Sequence, residues 1–220
     1  LMNQIEFNEI LEKGENNYIE FKRKVSSLEK IAKEVIAFAN TKGGKIFFGV
    51  DDDGKIYGVE SEKSEIDLIE ESCKVYCNPP ISPEIEIFHY KGKDIIIANI
   101  PESINKPHFL FEGNLKLTKD SKVYIRVNDK SVLASKEVIQ VLRNERPDAK
   151  PVKISIGENE KRLLDFVEKN ERITVKQFSE LVNISERRAS RILVKLVQLG
   201  VLRIHTLEKE DYFTLSESLT

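Results

Sequence analysis

Apolar positions recur at helical spacing from Ser27 to Asn40, through Leu28, Ile31, Ala32, Val35, Ile36 and Ala39. Ser26 and Glu29 are placed as a capping box at the start of this helix, and Gly43-Gly44 stops it. Lys45 to Asp51 follows as a short run of β-formers. Asp53-Gly54 is a turn signal, so Lys55 to Val59 is expected to return as the second arm of a hairpin. Ser61 to Cys77 resumes the helical period on Ile66, Ile69, Cys73 and Tyr76 until Pro79-Pro80 ends it. Glu84 to Tyr90 alternates apolar and polar residues, Lys91-Gly92 turns the chain, and Ile95 to Ile100 is apolar but for Asn99, which predicts a second hairpin. After an irregular stretch from Pro101 to Gly113, Lys122 to Val127 reads as a strand and Ser135 to Asn144 as a short helix. This order gives an α+β domain over residues 1–146.

Arg146 to Pro151 carries two prolines and several charges with no period, as a linker does, and the linker is placed at residues 147–156. Residues 157–220 then show three helical patterns. The first, Glu158 to Asn170, turns Leu163, Leu164, Phe166 and Val167 inward. The second starts at Thr174 with Gln177 as a capping box and buries Val175, Phe178, Leu181 and Val182. Asn183-Ile184-Ser185 is a tight turn, and the third helix runs to Leu199 ahead of Gly200. Val201 to His205 and Asp211 to Leu215 are two short strands joined by the charged loop Thr206 to Glu210. Three helices and a two-stranded wing follow one another as in a winged helix-turn-helix.

Composition narrows the function classes. The 220 residues are 40% hydrophobic and 33% charged, which excludes a fibre, a wholly disordered chain and a membrane span. Net charge is -2 and the pI about 6.1, so no global field draws the molecule to a polyanion; any such binding must be local. Cys73 and Cys77 would share a helix face as two small buried hydrophobes, and the scattered His89, His108 and His205 do not complete a zinc set. No apolar run approaches the length of a membrane helix and no basic-then-apolar leader opens the chain, so a soluble cytoplasmic protein is expected, with Leu1 ahead of Met2 as a remnant of expression.

The chemistry of the third C-terminal helix is two-sided. Ala189, Ile192, Leu193, Leu196 and Val197 form its inward stripe. Arg187, Arg191 and Lys195 stack at i, i+4 and i+8 on the outer side, with Arg188 beside them. Such a helix suits a major groove, its cations reaching base edges or phosphates; the ordinary alternative is a solvated basic face. Glu208, Glu210 and Asp211 crowd the wing tip and would repel phosphate unless they face away. Residues 157–215 resemble the winged helix-turn-helix modules of bacterial and archaeal transcription regulators. That resemblance implies DNA as partner, with RNA as the alternative, and a homodimer reading paired half-sites.

The first domain carries several ordered blocks: Glu15-x-x-x-x-Glu20-Phe21-Lys22, Ala37-Phe38-Ala39-Asn40-Thr41-Lys42-Gly43-Gly44, Phe47 to Gly54 with Gly58, then Tyr124-Ile125-Arg126-Val127 with Ser131 and Ala134-Ser135. Together they resemble the AlbA-like core domain of the Schlafen family over about Glu12 to Leu142, implying an α/β sandwich that binds DNA or RNA. In the animal relatives three core carboxylates support metal-dependent cleavage of structured RNA. Carried over, these are Glu15, Glu20 and Asp51, which as hard oxygen ligands would hold Mg²⁺ or Mn²⁺ against a scissile phosphate. Lys22, Arg23 and Lys24 lie next to that cluster in sequence and would hold the backbone. Against this, Glu20 near Lys22 is readily a satisfied acid, and Asp51 to Asp53 suit a turn. The animal nucleases also close two such lobes into a clamp, for which a homodimer would have to supply the second.

Arg126 stands in a locally basic stretch, Lys116 to Lys130, either as a phosphate contact or in an edge strand guarded by lysines. Gly49 to Lys55 approaches a P-loop, but Ile56 stands where Ser or Thr belongs and no helix follows; it also lacks the ligand spacing of an EF-hand. Gly43-Gly44 is a helix stop whose amides could also meet a phosphate. His108 has no triad partner. The expectation is a DNA-binding transcriptional regulator that requires no cofactor, contacting nucleic acid through Arg187, Arg188, Arg191 and Lys195 and secondarily through Lys22, Arg23, Lys24 and Arg126. The alternative is a metal-dependent ribonuclease or nuclease.

Overall fold

The computed structural model describes residues 2–151, 155–206 and 210–216. The chain is α+β and divides into two units, Leu1–Leu133 and Ala134–Thr220. Within the linker expected at 147–156, residues 152–154 lie outside the described residues, as does Glu208 of the expected wing tip.

The first unit is organised around a four-stranded sheet. Helix α1 (Gln4–Lys13) leads into β1 (Ile19–Lys22), and helix α2 (Leu28–Asn40) crosses to β2 (Gly44–Phe48). Helix α3 (Glu62–Glu71) runs into a π-helical turn, Ser72–Tyr76, and the two-residue strand β3 (Cys77–Asn78). The hairpin of β4 (Glu84–Tyr90) and β5 (Lys93–Ile100) completes the sheet in the order β1-β2-β5-β4, with β1 and β2 parallel and the other pairs antiparallel. Strand β6 (Phe109–Leu110) pairs with β3, and β7 (Tyr124–Val127) with β8 (Lys130–Leu133).

Both faces of this sheet are covered, and the sequence of β5 records it. Ile96, Ala98 and Ile100 point into a cluster with α2 and α3 (Ile31, Val35, Ile36, Ile69). Ile95 and Ile97 point into the opposite cluster with Phe7, Phe21, Phe47 and Phe88. The stretch Ile95 to Ala98 is buried on both sides and has no position left for a polar residue, whereas Asn99 just beyond it is exposed. The second cluster is aromatic. Phe7 of α1 lies 5.1 Å from the rings of both Phe88 and Tyr90, and Phe21 meets Phe47 edge-on at 6.0 Å. Each fully buried Phe contributes roughly 1.5–3 kcal/mol over its exposed state.

Three local expectations change. The cap of α2 is Ser27, which accepts from the Lys30 amide, one residue later than the sequence places it. Residues 45–59 do not form a hairpin: β2 pairs with β1 and β5, and Lys55 to Val59 returns only through a bridge between Val50 and Ile56. The Gly49 carbonyl accepts from the amides of both Tyr57 and Gly58, which holds the loop as a compact turn. The helix expected up to Cys77 is α-helical only to Glu71. Both cysteines are buried; burial pushes the Cys73 thiol up to about 12 and raises Cys77 as well, so neither presents a thiolate.

Gly43-Gly44 is explained by packing. A Cβ on Gly44 would lie 2.4 Å from the Phe38 ring, and one on Gly43 would lie 2.6 Å from the Ile100 carbonyl oxygen. The Gly43 amide donates to the Phe38 carbonyl at 2.9 Å, so it is spent on ending α2 rather than offered to a phosphate.

The second unit begins with α4 (Lys136–Asn144), which is capped by the Ser135 hydroxyl. Helices α5 (Glu158–Asn170), α6 (Val175–Leu181) and α7 (Glu186–Gln198) follow, then the antiparallel pair β9 (Leu202–His205) and β10 (Tyr212–Leu215). A bridge from Ile173, ahead of α6, to Phe213 ties the helices to this pair. The core gathers Leu163, Val167, Phe178, Leu193, Leu196 and Phe213, all 0–1% exposed. Thr174 and Gln177 form the capping box that their spacing predicts. The sequence reading sets Ser135 to Asn144 at the end of the first domain, whereas α4 packs within the second unit: Ser190 of α7 donates to the Glu137 carboxylate at 2.6 Å, and the Ser135 hydroxyl donates to Asp211.

Candidate nucleic-acid interface

Helix α7 takes its two-sidedness from its apolar period. Ala189, Ile192, Leu193 and Leu196 are buried, which rotates Arg187, Arg188, Arg191 and Lys195 outward, and all four are exposed. None of the four is ion-paired with another described residue. Ser185 caps the helix through the Arg188 amide, so Arg187 and Arg188 stand in its first turn, where their charge opposes the helix dipole. An anion placed there would be favoured by dipole and guanidiniums together.

The cations of the first unit are differently placed. Lys22 is bound back onto its own strand, donating to the Glu20 carboxylate and to the Phe21 carbonyl at 2.9 Å. Burial lowers its pKa, but Glu20, with Glu15 and Glu34, raises it, and the net direction is upward. Arg23 lays its guanidinium over the Tyr57 ring at 3.9 Å, and Lys24 is exposed. Arg23 and Lys24 line a cleft of about 600 Å³, but Glu60 and Glu65 line it too, so its field is mixed.

Arg126 is neither a phosphate contact nor part of a solvated edge. Its side chain is 0% exposed. The guanidinium donates to Glu20 at 2.8 Å, to Glu34 at 3.3 Å, to Ser131 at 3.2 Å and to the Asn16 carbonyl at 2.8 Å. It also stacks 4.6 Å from the Phe38 ring centroid. A buried carboxylate pair needs such a cation, and the bidentate reach of arginine satisfies several acceptors together.

Of the carboxylates proposed for metal, Glu15 and Glu20 are engaged elsewhere, and Asp51 lies in the loop after β2, accepting from the Asp52 amide at 3.2 Å. Glu20 is buried and paired with Arg126 and Lys22, and Glu15 accepts from the Phe21 amide at 2.8 Å. Burial raises the Glu15 pKa, with the Glu20 charge adding to the rise. Glu15, Glu20 and Asp51 do not bring three ligand oxygens within 4.8 Å of one another. These donors do not fit a shared Mg²⁺ or Mn²⁺. Among the described residues the one group that meets that span is Glu62, His89 and Asp94, at the start of α3 and on the β4–β5 hairpin. Their positions, 62, 89 and 94, have no motif spacing, so nothing in the sequence singles them out.

His108 is buried with a fixed tautomer. Nδ1–H donates to the Pro79 carbonyl at 2.7 Å, and Nε2 accepts from the Ser103 hydroxyl at 2.7 Å. Burial pulls its pKa below the ordinary value. It serves the fold as a neutral linker between loops. Among the described residues no helix is long and apolar enough to cross a membrane.

Residues 15–135 match the family model described as Schlafen, AlbA_2. Among solved structures the chain is similar to the N-terminal domain of a putative ATP-dependent DNA helicase RecG-related protein from Nitrosomonas europaea, at 23% identity over 59% of this chain and 92% of that one, with a TM-score of 0.41. It is also similar to the DIP2311 protein from Corynebacterium diphtheriae, at 16% identity and a TM-score of 0.46. There the likeness covers 70% of this chain but 34% of that one. No curated protein matches the chain.

Proposed function

Because the chain belongs to the Schlafen AlbA_2 family, we propose that it binds nucleic acid, DNA before RNA, through the exposed cations of α7. The observation that supports this most is the set Arg187, Arg188, Arg191 and Lys195, exposed together on one helix of a molecule whose net charge is only -2. Local cation density of this kind draws phosphate where the whole-molecule field cannot.

The finer reading is a transcriptional regulator. The C-terminal unit would act as a winged helix-turn-helix, with α7 in the major groove and β9–β10 as the wing, and a homodimer would present two such faces to paired half-sites. The engaged carboxylates of the first unit favour a binder over a metal-dependent nuclease. The test is a gel shift with duplex DNA at modest salt. Arg187→Glu with Arg191→Glu should abolish the shifted band while the thermal melt is kept; unchanged affinity would discard α7 as the interface. Light scattering of the free and bound protein measures the dimer.

A further inference from the structure

The outward face of α7 is not bare, because α4 lies along one flank of it. Val194 sits beside Arg187 and Arg191 on the helix surface, away from the Leu193–Leu196 side, yet it is only 4% exposed. The Ser190–Glu137 hydrogen bond holds α4 there, and the Ser135–Asp211 contact fixes the start of the same helix. Between the two helices runs a groove of about 450 Å³ with Val194 and Ser190 in its lining. From α4 come Lys136, Gln140 and Asn144, spaced i, i+4 and i+8. Facing them from α7 are Arg187, Arg191 and Lys195 at the same spacing.

Two matched rows at about 6 Å per step, the rise of four helical residues, make a linear site rather than a point site. Its composition is selective. Four cations, three amides counting Gln198, and a hydroxyl line it, and no carboxylate does so among the described residues. Glu137, the acid next to it on α4, is buried, accepts from Ser190 and lies 3.7 Å from the Lys136 ammonium, whose side chain is itself 70% exposed and open to a ligand in the groove. Lys, Arg, Asn, Gln and Ser are the side chains that contact phosphate and sugar in nucleic-acid complexes. The cleft beside Arg23 and Lys24 lacks this character, because two glutamates share its wall.

We propose that one phosphodiester strand of the bound nucleic acid runs in the groove between α4 and α7, gripped from the α4 side by Lys136, Gln140 and Asn144. This rests on the nucleic-acid reading of α7 and adds a second wall to it. Helix α4 is then part of the binding surface and not a connector between units.

The experiment uses the full chain and a fluorescein-labelled duplex of arbitrary sequence, with affinity read by anisotropy across a salt series. Lys136→Ala should weaken binding several-fold and reduce the salt slope by about 1, the signature of one lost phosphate contact. The double variant Gln140→Ala, Asn144→Ala should weaken binding with the slope kept. Arg143→Ala removes the same charge from an exposed α4 position that does not line the groove, and should bind as the parent does. If Arg143→Ala weakens binding as much as Lys136→Ala, only net charge matters and the groove assignment is wrong. If the α4 variants are all silent while Arg187→Glu with Arg191→Glu abolishes binding, the groove fails and the α7 interface stands. If the parent protein binds no polynucleotide, both fall.

Discussion

The guanidinium of Arg126 and the carboxylate of Glu20, 106 positions apart in the chain, meet at 2.8 Å with the arginine side chain wholly enclosed. Glu34 of α2 shares the same guanidinium at 3.3 Å, so one cation from β7 neutralises two acids from separate elements. The block Glu20-Phe21-Lys22 and the block Tyr124-Ile125-Arg126-Val127 are thus two halves of one buried network.

Removing the cation should unfold the first unit more readily. Arg126→Ala leaves Glu20 to Lys22 and Glu34 to the Ser131 hydroxyl, a change worth up to roughly 3–5 kcal/mol. Arg126→Lys should recover little, since an ammonium cannot reproduce the forked geometry. Urea denaturation checks both. A variant with parental stability and weakened nucleic-acid binding would instead make Arg126 a phosphate contact.

Gly44→Ala tests steric closure. The added methyl would meet the Phe38 ring at 2.4 Å, and overpacking of this kind costs about 1–3 kcal/mol. Phe38→Leu combined with Gly44→Ala should lose less than the sum of the two single changes, because the leucine vacates part of the space. A double-mutant cycle of melting free energies measures the coupling, and strict additivity would refute the contact.

His108 should make the protein sensitive to acid. Its folded pKa lies below the ordinary value near 6.5 because of burial, so the folded state binds the proton less readily than the unfolded chain. The stability is fully present above about pH 6.5 and declines as the pH falls below that toward the lowered folded value. Chemical denaturation at a series of pH values between 8 and 5 should show this decline, and His108→Gln should flatten it.

Glu15 has the opposite sign. Burial raises its carboxyl, so the ionised form is disfavoured in the fold and the penalty is present at neutral pH. Glu15→Gln keeps an oxygen for the Phe21 amide and should be neutral or stabilising at pH 7, by less than ~1 kcal/mol because the group is only half-buried. The advantage should vanish in acid, where Glu15 itself is protonated. A loss of stability at pH 7 would mean that the charge is needed.

The sequence is most legible where a single period decides the structure. Helix α2, the β4–β5 hairpin and the α5–α7 series with its closing strands follow from spacing and turn residues alone. Helix α1 leaves only a faint trace: Phe7 is buried along it with Ile10 and Leu11 packed beside it, a stripe of three residues, and Ile5 is 74% exposed. Strand β1 escapes detection because four residues are too few to show a period, and its partner β2 lies beyond an intervening helix. The loop at Asp51 to Lys55 reads as a hairpin turn because the turn chemistry is real, but the strand it should begin is replaced by a single bridge.

At the candidate site, the outward cations of α7 are visible from the helical period. The burial of Arg126 is not, because nothing local tells a lysine-rich stretch from a strand that tucks its one arginine under α2. The α4 wall is hidden by a boundary: a helix just before a proline-bearing linker looks like the end of the preceding domain, and only its packing against α7 assigns it to the C-terminal unit.

Asn40, at the end of α2, donates its amide to the carbonyls of His108 and Tyr124 and accepts from the His108 amide. A ribosome delivers that asparagine long before it delivers the residues that satisfy it. Until 68 further residues bring His108 and 84 bring Tyr124, the Asn40 side chain lacks these partners, and the loop-closure entropy of the contacts is still to be met. The first unit therefore matures as a whole after its last strands leave the exit tunnel, and truncation before Tyr124 should yield a chain that cannot complete its fold.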